Sequence, residues 1–196
     1  MKLCVFQGTF NPIHNAHLRV AEYVVNKYDF DRFLFVPAYK PPHKNCDISM
    51  ATHRLNMVKL ATAYNSKFMV TDIEFKREGK SYTYLTICEL YKQYIIDGKI
   101  HFIIGTDAFD FIESWYEADK LKEIVKFIVF VRDDNFEISK YDYLREKGYD
   151  FEFQSLPFQN VSSTEIRDKI KNNQSIDDYV SKEVKDYIYK NELYED

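Results

Sequence analysis

His14 and His17 stand three residues apart in QGTFNPIHNAHL, behind a glycine, a threonine and a proline and directly after a short apolar run. Two imidazoles at a strand-to-helix passage can donate hydrogen bonds to phosphate oxygens, and a protonated one offsets charge that develops during phosphoryl transfer. Gly8 leaves room for backbone to approach a ligand, Pro12 stiffens the loop, and His17 falls at a helix start, where free N–H groups favour an anion. The plainer reading has His14 closing the turn and His17 packing or capping. A metal reading of HxxH finds neither an HExxH glutamate nor a third ligand nearby.

Four further segments carry related chemistry. KPPHK puts His43 and Lys44 on a proline-stiffened arm, where a lysine is a point charge able to clamp a phosphate, although most lysines are merely solvated. EGKSYTYLT leads into a helix from Ser81 or Thr83 and by itself reads as an N-cap. IIGTDAFDFIESWYEAD sets Gly105 after an apolar run, then Asp107 and the chain's only tryptophan, Trp115. An indole face with backbone N–H groups at Trp115 and Tyr116 suits a flat aromatic acid, and Asp107 suits ribose hydroxyls; a core tryptophan and a helix cap are the plainer alternatives. In VSSTEIRDKI, Ser162 and Glu165 form an S-x-x-E capping box, and the same helix start aims N–H groups and hydroxyls at an anion, with Arg167 one turn in.

These segments need a scaffold that brings them together, and the hydrophobic pattern supplies one. Short runs rich in Val, Ile and Phe at 2–6, 32–36, 67–73, 100–104, 126–131 and 151–153 predict strands. Helical spacing occurs between them at 17–27, 50–64, 84–96, around Leu121 and at 139–147. The alternation predicts an α/β fold with a Rossmann-like, doubly wound parallel sheet, and two helical stretches at 164–171 and 176–193 predict a C-terminal helical cap. The longest irregular stretch, 36–49, holds three prolines and reads as a semi-rigid arm. In open parallel sheets ligands sit beyond the carboxyl ends of the strands, and the chemistry-bearing segments follow strands.

At 196 residues the chain suffices for one well-buried core, so a single domain over 1–196 is expected. A net charge of −4 provides no diffuse attraction for nucleic acid or an anionic membrane, and a phosphate ligand must be caught locally. Cys4, Cys46 and Cys88 form no CxxC and suggest no disulfide framework, which fits a reducing cytoplasm. No apolar run is long enough for a signal peptide or a membrane span. GxxxxGK(S/T) and GxGxxG are both absent, which removes the main support for P-loop and standard dinucleotide-binding readings.

The segment around the histidines resembles the (T/H)xGH signature of the nucleotidylyltransferase superfamily, in the form GGTFDPxHxGH found in bacterial nicotinate-nucleotide adenylyltransferases; Gln7, Asn11 and Ala16 depart from it. The arm is similar to that family's PPHK, EGKSYTYLT to its PSYTxDT with Lys80 and Leu85 as departures, the Trp115 segment to its IGxDxxxxxxxWY, and VSSTEIR to its SSTxIR. The resemblance implies adenylyl transfer from ATP to nicotinate mononucleotide with Mg²⁺ accompanying ATP. It implies that His14, His17, Lys44 and Arg167 carry catalysis, that Gly8, Thr9, Phe10, Gly105, Ser162, Ser163 and Thr164 bind ATP, and that His43, Thr83, Asp107, Trp115 and Tyr116 bind the pyridine nucleotide. Expected partners are those two nucleotides, with no nucleic acid and no membrane, and self-association stays open. A phosphopantetheine adenylyltransferase shares the histidine and helix-start motifs, and a non-catalytic nucleotide sensor could share the fold; both stay open at this point.

Overall fold

The computed structural model describes residues 1–42, 47–77, 79–131, 136–157 and 161–195. In chain order its elements are β1 (Leu3–Gly8), α1 (Asn15–Lys27), β2 (Arg32–Pro37), α2 (Ala51–Thr62), β3 (Phe68–Val70), α3 (Thr83–Gln93), β4 (Ile100–Gly105), α4 (Thr106–Phe109), α5 (Ala118–Ile124), β5 (Val125–Val131), α6 (Asp142–Glu146), β6 (Phe151–Ser155), α7 (Ser163–Lys171) and α8 (Lys182–Lys190). The strands form one parallel sheet in the order β3-β2-β1-β4-β5-β6, the doubly wound arrangement expected. Strand order reverses between β1 and β4, so the loops after these two strands part there and leave a crevice.

Alternation along each strand builds two cores. Cys4, Phe33, Phe35, Ile103 and Ile128 point to the face covered by α1, α2, α7 and α8, while Leu3, Val5, Leu34, Phe102 and Phe127 point to the face covered by α3 to α6. Because central strands are buried on both faces, they read as nearly unbroken apolar runs. α1 presents Leu18, Ala21, Val24 and Val25 on one side, the spacing of a helix with one buried stripe. The expected C-terminal cap is present: Ile166 and Ile170 of α7 and Val184 and Ile188 of α8 join the core that α1 and α2 share. Among the described residues no helix is long and apolar enough to cross a membrane.

α2 and α3 end two and three residues short of the expected 50–64 and 84–96, and three further predicted elements are much shorter than the pattern suggested. The 67–73 strand pairs only over Phe68–Val70, because Ile73 leaves the edge, enters a 3-10 turn (Ile73–Phe75) and buries in the core on the α3 side. The 139–147 helix begins as a 3-10 turn (Ile138–Tyr141), and after α6 the chain passes Gly148 at φ +87, a left-handed conformation that glycine adopts without strain. The 176–193 helix exists only as α8. Ser175 and Asp177 close their own local turn, and Ser181 caps α8 by accepting from the Val184 N–H at 3.4 Å, so buried Ile176 and Val180 only mimic helical spacing. The 36–49 stretch also begins and ends in regular structure, in β2 and in a 3-10 turn (Ile48–Met50) capped by Asp47.

Candidate functional site

The carboxyl end of β1 turns sharply. Gly8 is followed by Phe10 at φ +47 and by a cis Asn11-Pro12 peptide. A side chain at Gly8 would need space that the Phe10 ring occupies, 2.9 Å from where a Cβ would sit. A Cβ there would force the buried ring to shift, so packing within the loop favours glycine independently of any ligand. Phe10 is 2% exposed, its ring lying edge-on to His17 at 5.1 Å and to Phe6 at 5.4 Å.

His14 is the N-cap residue of α1 and His17 occupies its first turn. Their rings stack at 3.7 Å with 26° between planes, and the His14 N–H donates to His17 Nδ1 at 3.3 Å. Accepting at Nδ1 leaves the proton of a neutral His17 ring on Nε2, the donor form an anion needs. Both parts of the plainer reading are therefore present, since His14 starts the helix and His17 caps it backwards, and both rings line an open cleft of about 1440 Å³.

α7 reaches the same loop from the other end of the chain. Ser162 caps it by accepting from the Glu165 N–H at 3.1 Å, the forward half of the expected box. Ser163 Oγ donates to the Pro12 carbonyl at 2.9 Å, and Arg167 donates to the Asn11 carbonyl at 2.8 Å and to Thr164 Oγ1 at 3.1 Å. Tyr194 donates to Asn11 Oδ1 at 2.7 Å, and Asn15 is tied to the carbonyls of Tyr179 and Asp178. The helix start and its N–H groups are thereby locked against the histidine loop, an arrangement suited to holding an anion between them.

Across the cleft the materials differ. Tyr82 stacks on Tyr116 at 4.6 Å, and half-buried Trp115 meets Phe102 edge-on at 6.2 Å. Thr83 opens α3, but neither it nor Ser81 caps the helix; the N-cap residue is Tyr82, with no side-chain bond, which corrects the capping expectation. Ser81 turns away because its hydroxyl accepts from the Lys40 N–H and its own N–H donates to the Lys40 carbonyl, both at 2.9 Å. Asp107 is exposed inside the short α4, whose N-cap residue is Gly105, so capping is not its role either.

All the predicted site residues that the structure describes line this one cleft: Gly8, Thr9, Phe10, His14 and His17 from the first loop, Thr83, Gly105, Asp107, Trp115 and Tyr116 from the middle of the chain, and Ser162, Ser163, Thr164 and Arg167 from α7. His43 and Lys44 lie outside the described residues; Pro41 and Pro42 of the same arm line the cleft. Two of the departures from the family motif have partners of their own: Gln7 donates to Glu74 at 2.5 Å, and Asn11 receives Tyr194. Ala16 sits buried at the cleft wall.

Sequence reasoning missed Arg54, Glu74 and Tyr82 around this cleft, and read Ser81 only as a helix cap. Arg54 carried a signal: it falls in the stripe Ala51, Arg54, Leu55, Val58, Ala61 that α2 buries, a place where a charge requires partners. Glu74 carried none, since its burial depends on the 3-10 turn Ile73–Phe75, which begins where the predicted strand ends.

Comparisons with known proteins identify the family and the fold. A family model described as cytidylyltransferase-like matches residues 5–169. The probable nicotinate-nucleotide adenylyltransferase of Bacillus licheniformis is 40% identical over 99% of this chain and 98% of its own length. The nicotinate-nucleotide adenylyltransferase of Bacillus subtilis is 37% identical over the same shares of the two chains. Among solved structures, the nicotinic acid mononucleotide adenylyltransferase of Plasmodium falciparum complexed with NaAD superposes with a TM-score of 0.75 at 26% identity, covering 98% of this chain and 97% of that one.

Proposed function

Since the chain belongs to the cytidylyltransferase-like family, and within it to the bacterial nicotinate-nucleotide adenylyltransferases, we propose that its cleft transfers the adenylyl group of ATP to nicotinate mononucleotide in NAD biosynthesis. ATP lies between the histidine loop and α7; nicotinate mononucleotide lies toward α3, Trp115 and Tyr116. A phosphate oxygen of the mononucleotide forms a bond to the α-phosphorus of ATP while the bond from that phosphorus to pyrophosphate breaks. The products are nicotinate adenine dinucleotide and pyrophosphate, with no covalent enzyme intermediate.

Such an in-line displacement asks the protein for position and charge more than for bond-making groups. His14 and His17 donate to the ATP phosphates, and Arg167 and Lys44 offset charge as pyrophosphate departs. The N–H groups and hydroxyls of Ser162, Ser163 and Thr164 hold the phosphates, with Gly8, Thr9, Phe10 and Gly105 flanking the nucleotide. Asp107 accepts from ribose hydroxyls. Trp115 stacks on the pyridine ring, and Thr83, His43 and the Tyr116 backbone meet its substituents. Mg²⁺ enters as the companion of ATP. Among the described residues no group of three or more His, Cys, Asp or Glu side chains is placed to hold a metal.

The observation that carries this reading is the convergence of the first loop, α3, β4 and α7 on one cleft at the switch point of the sheet. A pyrophosphate-release assay tests it, pairing ATP with nicotinate mononucleotide, nicotinamide mononucleotide or phosphopantetheine. Turnover with nicotinate mononucleotide is expected. Turnover with phosphopantetheine alone, or binding of ATP without turnover of any pair, overturns it.

A further inference from the structure

Among the described residues, Arg54 and Glu74 are the charged side chains most completely withdrawn from water, at 0% and 2% exposure, and no step of the reaction uses them. They approach one short stretch of backbone from opposite faces of the sheet. From α2, Arg54 donates to the carbonyls of Thr9 at 2.7 Å, Ala38 at 2.6 Å and Tyr39 at 3.1 Å. From the turn after β3, Glu74 accepts from the Tyr39 N–H at 3.2 Å, from Gln7 at 2.5 Å and from Thr86 Oγ1 at 2.6 Å. Tyr39 is therefore gripped at both its N–H and its carbonyl. The next residue, Lys40, is pinned on both its backbone groups by Ser81.

Followed in order, these bonds form one path: Thr9 in the histidine loop, Arg54, residues 38–39, Glu74, and Thr86 one turn into the helix that Thr83 opens. The path passes, at residues 38–39, through the root of the proline arm. Apolar side chains would fill both sites more cheaply, because burying a charge costs solvation that only a complete set of partners returns. What such a side chain adds is direction: the guanidinium fork fixes three carbonyls in one geometry.

Resting on the function proposed above, we infer that Arg54 and Glu74 are positioning residues that set the two sides of the cleft in register and fix the root of the arm. Arg54 holds the Thr9 carbonyl on the ATP side, Glu74 holds the Thr86 hydroxyl in the helix on the mononucleotide side, and the two meet at Tyr39. Arg54→Lys keeps the charge and loses the fork. It should raise the KM for ATP about tenfold and also raise the KM for nicotinate mononucleotide severalfold, with a smaller change in kcat. Glu74→Gln should show the reverse weighting, and the double variant should fall short of the product of the two single effects. Effects confined to the nearer substrate, with multiplicative behaviour in the double variant, overturn the inference.

A second readout needs no substrate. Arg54 bonds neither the Tyr39 nor the Lys40 amide, yet Arg54→Lys should speed hydrogen exchange at both, and unchanged exchange overturns the inference. If that variant does not fold, Glu74→Gln takes its place, read at the Ala38 amide, which donates to the Gly8 carbonyl at 2.8 Å and which Glu74 does not touch. Should the wild-type protein release no pyrophosphate, the proposed reaction fails, while the exchange measurement still decides on Arg54 and Glu74.

Discussion

The two sides of the cleft are held by different physics. Where the histidine loop meets α7, hydrogen bonds between segments far apart in the chain do the holding: Ser163 to Pro12, Arg167 to Asn11, Tyr194 to Asn11. Where α3 meets the tryptophan segment, aromatic faces rest on one another, and the buried carboxylate of Glu74 fixes the base of the helix. Hydrogen bonds define direction sharply, while stacked rings tolerate sliding. A triphosphate changing its bonding needs the first kind of wall, and a flat ring that only has to be recognised is served by the second.

The largest effect expected of a single change falls on the directional side. His17→Ala should cut turnover about 10²-fold, the scale of losing one preorganised donor to transition-state charge, in a variant whose circular dichroism still reports a folded chain. Unchanged turnover would remove the imidazoles from the chemistry and leave His17 as a helix cap. On the tolerant side, Trp115→Ala should raise the KM for nicotinate mononucleotide about tenfold and leave that for ATP within twofold, with Trp115→Phe recovering most of the loss. Equal effects on both substrates would erase the division between the two walls. Ser163→Ala removes one tether to the loop and should raise the KM for ATP by about fivefold, measured by the same pyrophosphate assay.

The smallest effect belongs outside the cleft and supplies the baseline. His101, near the amino end of β4, has its pKa lowered from the usual 6.5 by burial and by Lys126, against the opposing pull of Glu152 and Asp150. Because the folded state resists the proton that the unfolded chain accepts, the contribution of His101 is intact above about pH 6.5 and is lost as pH falls through the folded value. The Tm should therefore drop as buffers are taken from about pH 7.5 to 5.5, and His101→Gln should flatten that slope with both KM values unchanged. A slope that persists in the variant would assign it to other groups.

Much of this arrangement was legible from local pattern. Each predicted strand exists, α1 and α7 begin within two residues of their predicted starts, and every described residue singled out for chemistry lies at the carboxyl rim. The misread elements share one cause. Residues 176–181 and 71–73 carry helix-like or strand-like apolar spacing because Ile176, Val180 and Ile73 are buried, and burial produces such spacing whatever the backbone does. The expected caps failed differently: a hydroxyl near a helix start caps it only when no better partner is closer, and Ser81 has Lys40, while Asp107 stands inside α4, past its N-cap Gly105.

Sequence by itself determined the alternation of strands and helices, the order of the segments along the chain, and the residue types that phosphate recognition needs, because periodicity and side-chain chemistry are properties of neighbours. Tertiary structure alone decided that the Phe10 ring occupies the space of a side chain at Gly8, that Arg54 reaches Thr9 from 45 residues away, and that Tyr194 closes on Asn11 across 183. Those contacts follow from how the sheet brings its loops together, and a buried charge or a close approach acquires its meaning only from whatever the fold has placed beside it.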